Sequence, residues 1–131
     1  MRAAGGLLLL LLGACPDEPT GDCSPLLTDC QPLYEPNFEQ VYANTIARSC
    51  GVGGGSCHSA EGAKGGLAFA DIDSSHDQLL QETVVPGDAS CSPLMARLNT
   101  DDSLLLMPPG RALSLEERCA VAAWIDRGAN R

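Results

Sequence analysis

The sequence is short of aromatic rings, of cations and of long apolar runs. One tryptophan, two tyrosines and two phenylalanines are spread over 131 residues. A core built from so few large side chains is thin, so disulfides, a bound group or both are expected to supplement it. Eight Lys and Arg stand against 17 Asp and Glu, a net charge of -9. Phosphate backbones need a basic footprint, so the charge balance argues against nucleic acid as a partner. The run Leu7 to Leu12 is only six residues long, whereas a membrane-crossing helix needs about 20. There is no convincing strand-type alternation and no internal repeat.

The leucine run reads as part of a leader. Arg2 precedes it, and the small residues Gly13 and Ala14 follow, the layout of a cleavable export signal over residues 1–14. Next comes Cys15. Leu12-Gly13-Ala14-Cys15 resembles the lipobox of bacterial lipoproteins. That resemblance implies a lipidated Cys15 as the mature N-terminus. It also implies membrane anchoring through that lipid and an exported lipoprotein of the cell envelope, facing the periplasm or in the outer membrane. In such a compartment disulfides persist. Setting Cys15 aside leaves an even set: Cys23, Cys30, Cys50, Cys57, Cys91 and Cys119. Sequence alone does not fix their pairing.

Residues 15–36 are rich in Pro, Asp and Thr, without helical or strand period, and read as a flexible tether. Cys23 and Cys30 are candidates to close a small loop within it. The folded domain is expected over 37–131. Phe38, Val41, Tyr42, Thr45 and Ile46 share one helical face behind Asn37, a candidate N-cap. Ser74 or Ser75 is a candidate cap for a second short helix, and Leu67, Phe69 and Ile72 are expected to cover the core from the preceding loop. A third helix is expected from Ser92-Pro93, with Leu94, Met95 and Leu98 inward. The last begins at the capping box Ser114–Glu117 and ends at Gly128. Its inner face is expected from Leu115, Cys119, Ala122 and Trp124 or Ile125. The expected fold is all-α: a small bundle of three to four short helices joined by Gly- and Pro-rich loops.

One stretch carries chemistry: "SCGVGGGSCHSAEG", Ser49 to Gly62. Cys57-His58 has the adjacency of a c-type haem attachment site, where two thiols add to vinyl groups and the histidine binds iron. Such a site has two residues between its cysteines. Here six separate Cys50 from Cys57, four of them glycine, and glycine accepts backbone conformations closed to other residues. Far along the chain, Met107-Pro108 lies on a loop between the third and last helices. A methionine there is either gap-filling core or a distal thioether ligand that raises the iron's potential.

The segments "FEQVYANTIARSC…CHS", "GGLAF", "VVPGDASCSPLMARL", "MPPG" and "LSLEERCAVAAWIDRGA" occur in that order. From about Asn37 to Asn130 the chain resembles the cytochrome c-like domains of bacterial exported proteins and lipoproteins. The resemblance implies a cytochrome c-like bundle and covalent haem c on Cys57. It implies His58 as proximal and Met107 as distal iron ligand. Cys50 matches the other attachment cysteine in role but not in spacing. It implies an electron carrier rather than an enzyme, since a methionine ligand closes the iron site that a peroxidase needs open, and it implies a redox partner protein of unknown identity.

Two other readings use the same residues. In a haem-free lipoprotein module for binding or scaffolding, Cys50–Cys57 closes the glycine loop as a disulfide and Cys91–Cys119 ties the third helix to the last. In a zinc site, Cys50, Cys57 and His58 need a fourth ligand. The only other histidine is His76, which reads as an exposed residue near a helix start.

Overall fold

The structure is a computed structural model that describes residues 23–25, 27–51 and 57–131. The leader and Cys15 lie outside the described residues, as does the glycine-rich loop at 52–56. Among the described residues there are four α-helices and no strand. They are α1 (Phe38–Val41), α2 (Ile72–Glu82), α3 (Pro93–Asn99) and α4 (Leu115–Asp126). No described helix is long and apolar enough to cross a membrane.

α1 begins where Asn37 accepts a hydrogen bond from the Gln40 N–H, at 3.0 Å. It passes directly into a π-helical segment, Tyr42–Cys50, whose wider turn places the Gly51 N–H on the Ile46 carbonyl at 2.8 Å. Phe38, Val41, Thr45 and Ile46 are fully buried along this run. The cap of α2 lies ahead of both expected serines, three residues before Ser74 and four before Ser75. Asp71 is the cap and accepts from the Ser74 N–H at 2.9 Å. Its carboxyl is held below the usual carboxylate range by those hydrogen bonds from Ser74.

The earlier start of α2 also overturns the reading of His76. Ile72, Ser75, His76 and Leu79 share one face, and His76 is buried, 9% exposed. Its Nε2–H donates to the Ala129 carbonyl at 2.9 Å, and its ring meets Phe38 edge-on at 4.7 Å. It is a hydrogen-bonded core histidine.

α4 carries the expected capping box. Ser114 Oγ accepts from the Glu117 N–H at 3.1 Å, and Glu117 accepts from the Ser114 N–H at 2.9 Å. Its buried residues are Cys119, Ala120, Val121, Trp124 and Ile125. Leu115, expected inward, is 38% exposed because it lies at the first position of the helix, at its end. α4 packs against α1 and α3, and Trp124 stacks at 5.1 Å on Phe38. Two of the five aromatic residues thus form the centre of the core. Ser92 sits at the α3 cap position, but its hydroxyl donates to the Asp88 carbonyl and accepts from the Val85 N–H.

The described part of the expected tether is fastened down. Cys23 is bonded to Cys91 and Cys30 to Cys119, across 68 and 89 positions. The Ser24 N–H donates to the Ser90 carbonyl, the Leu33 N–H to the Glu116 carbonyl, and Tyr34 hydrogen-bonds Thr45. The described residues of 23–36 therefore form a strap over α3 and α4. This pairing replaces two of the three pairings considered from sequence, Cys23–Cys30 and Cys91–Cys119. Cys91 and Cys119 each face the strap rather than one another.

Candidate functional site

Cys50 is the last residue of the π-helical segment, and Gly51 follows it. Gly51 is buried, and a Cβ there would lie 2.9 Å from the Phe69 carbonyl oxygen. Only glycine lets the Phe69 backbone pass this close. That backbone reaches on to the next element of the site, because the Phe69 N–H donates to the His58 carbonyl at 2.7 Å.

The loop after His58 folds back on itself. The Lys64 N–H donates to the Cys57 carbonyl and the Ala63 N–H to the Ser59 carbonyl, both at 2.9 Å. Gly65 and Gly66, with φ of 65° and 77°, then reverse the chain in the left-handed region that suits glycine. The reversal brings the Leu67 carbonyl to 3.2 Å from His58 Nδ1. A carbonyl only accepts, so Nδ1 carries the proton and donates. In the neutral ring Nε2 is then left as the lone-pair nitrogen. The Phe69 ring lies 5.3 Å from the imidazole.

Met107 comes from the loop after α3. Its N–H donates to the Arg97 carbonyl at 3.0 Å, and the Arg97 guanidinium donates to the Leu105 carbonyl at 3.4 Å. The Leu105 and Leu106 N–H groups both donate to the Asp102 carbonyl. Loop and helix end are thus tied together, with Met107 half-buried against the core.

These pieces meet around one cleft of about 460 Å³, a size typical of small-molecule sites. Ile46, Leu67, Phe69, Leu79 and Leu98 supply apolar wall, and Cys50, Cys57, His58 and Met107 all line it. Four residues singled out across 58 positions of sequence therefore share a single cavity. Cys50 and Cys57 are both free thiols, not a disulfide. Burial pushes the Cys50 thiol up to about 11, so it stays protonated at neutral pH. His76 is not among the cleft residues. Among the described residues, no group of three or more His, Cys, Asp or Glu is arranged to hold a metal ion.

Two charged cleft residues went unnoticed in the sequence, Lys64 and Arg97. Lys64 directly precedes "GGL" and Arg97 lies inside "VVPGDASCSPLMARL", and only those positions could have pointed to them.

Residues 55–110 match a family model described as Planctomycete cytochrome C. The match includes Cys57, His58 and Met107; Cys50 and α4 lie outside it. It supports a cytochrome c-like domain in this part of the chain. No curated protein and no solved structure matches the chain.

Proposed function

We propose that the chain is a membrane-anchored c-type haem protein that transfers electrons in the bacterial cell envelope. The observation that carries this reading is the single apolar cleft lined by Cys50, Cys57, His58 and Met107. The donor set fits haem: an imidazole, a thioether and free thiols line one apolar cavity, and His58 and Met107 would be the residues to hold its iron. Bound haem supplies one-electron chemistry at iron. His58 offers Nε2, with its tautomer and ring orientation held by the Leu67 carbonyl. Met107 offers its sulfur from the loop tied to Arg97. Cys57 would be the residue that holds the haem covalently, through a thioether, and Cys50 is the candidate for a second such link. The apolar walls exclude water, which helps set the potential. Electron transfer of this kind needs no catalytic base or nucleophile. A lipid on Cys15 would place the domain near its redox partner, with residues 16–22 as the link to the strap.

The six-residue spacer favours a second reading, a haem-free lipoprotein module on the same fold. One experiment separates them. The chain is expressed with its leader intact beside c-type maturation machinery, and the mature protein is examined by mass spectrometry and reduced-minus-oxidised absorbance. The proposal expects one covalent haem and sharp c-type bands. Cys57→Ser abolishes attachment, whereas Met107→Ala keeps the haem and changes the spectrum. An unmodified mass with no visible absorbance overturns the proposal.

A further inference from the structure

The cleft has a charge pattern opposite to that of the chain around it. Acidic residues outnumber basic ones 17 to 8 overall. Yet among the described residues no aspartate or glutamate lines the cleft, while Lys64 and Arg97 both do. The two cations arrive from different elements. Lys64 sits on the loop whose backbone is hydrogen-bonded to Cys57, directly before the turn that brings Leu67 to His58. Arg97 sits in the last turn of α3, and its guanidinium and carbonyl both bond the Met107 loop. One cation therefore belongs to the His58 side and the other to the Met107 side.

We propose that Lys64 and Arg97 form the polar end of the cleft and select a ligand bearing carboxylates on one edge of an apolar body. This rests on the haem reading above and deepens it, since an ionised dicarboxylate porphyrin has that chemistry. Arg97 contributes a planar fork suited to a carboxylate, and Lys64 a mobile point charge. With like charge absent from the lining, neither carboxylate meets a repelling partner there. Arg97 also bonds the Leu105 carbonyl, so pairing with a carboxylate fixes the same side chain that steadies the Met107 loop.

The test uses the full mature chain, haem-free, with both strap disulfides intact and Cys50 and Cys57 as free thiols. Its affinities for metal-free protoporphyrin IX and for the dimethyl ester of that porphyrin are compared by fluorescence. The wild type is expected to hold the diacid roughly tenfold more tightly than the ester, two partly exposed pairs contributing a few-fold each. In Lys64→Gln/Arg97→Gln the ratio falls to about one while ester affinity is kept, which also reports that the variant is folded. Lys64→Arg/Arg97→Lys restores the preference. Arg127→Gln/Arg131→Gln, a loss of the same two charges at residues that do not line the cleft, leaves it intact. High salt shrinks the wild-type ratio. Equal wild-type affinities for acid and ester, or a preference that survives in the double variant, overturn this proposal and leave the haem reading standing. Failure of the wild type to bind either porphyrin overturns both.

Discussion

α3 separates two regions built on opposite plans. On one face, Met95 and Asn99 border a cavity of about 140 Å³ beneath the strap. Two disulfides hold that side shut. On the other face, Leu94, Arg97 and Leu98 border the cleft of about 460 Å³, whose two cysteines are free. The strapped side gains its order from covalent links that restrict the unfolded chain. The cleft side is shaped by backbone hydrogen bonds and one close backbone approach. A domain with few large apolar side chains can keep an open apolar cavity because its rigidity is supplied elsewhere.

The sharpest break in this contrast removes a strap link. Cys30→Ser/Cys119→Ser should lower the stability of the haem-free domain by about 4 kcal/mol, the scale for so long a closed loop. Urea unfolding measures the loss. The affinity of the cleft for a porphyrin, measured below the new unfolding midpoint, should stay near the wild-type value.

Alkaline pH should distinguish the two sides next. The Cys50 thiol, ordinarily near 9.0, is pushed up to about 11 by burial. The folded chain keeps a proton that the unfolded chain sheds as pH rises above 9. That part of the stability is complete below pH 9 and is lost as pH climbs through 11, about 2–3 kcal/mol in the haem-free chain. Cys50→Ala should flatten the slope. Removing either strap disulfide should not, because bonded sulfurs do not titrate.

Gly51→Ala should have the smallest effect on stability, about 2 kcal/mol from overpacking against the Phe69 carbonyl. Its effect should be local to the cleft. The Phe69 backbone bonds the His58 carbonyl, so NMR shifts should move at His58 and stay in place at the strap.

The parts of this architecture that were legible in the sequence are those governed by near neighbours. Asn37 and the Ser114–Glu117 pair announce helix starts because capping joins residues three apart. Periodicity identified the inward face of the first helix. His58 and Met107 were legible as a pair only through the order of motifs around them, and the cleft brings both to one cavity. The cap of α2 was misplaced because Asp71 and Ser74 are both good caps, and the choice between them decides whether His76 faces solvent or Trp124. Cysteine partners were illegible for a different reason. A linker composition describes how a chain behaves when free, and says nothing of distant thiols that capture it. The His58–Leu67 bond was equally hidden, since it depends on a carbonyl that any residue would provide.

The strap also sets a schedule for assembly. Cys15 aside, a chain emerging from its N-terminus presents Cys23 and Cys30 first, then Cys50 and Cys57, and only later Cys91 and finally Cys119. Neighbouring thiols meet soonest, because short loops close at the lowest entropic cost. Yet the final links join the first two thiols to the last two and skip the pair in between. Early oxidation between neighbours must therefore be undone by thiol–disulfide exchange. The thiols of the cleft stay free only if α3 and α4 arrive to claim the strap before those middle thiols do.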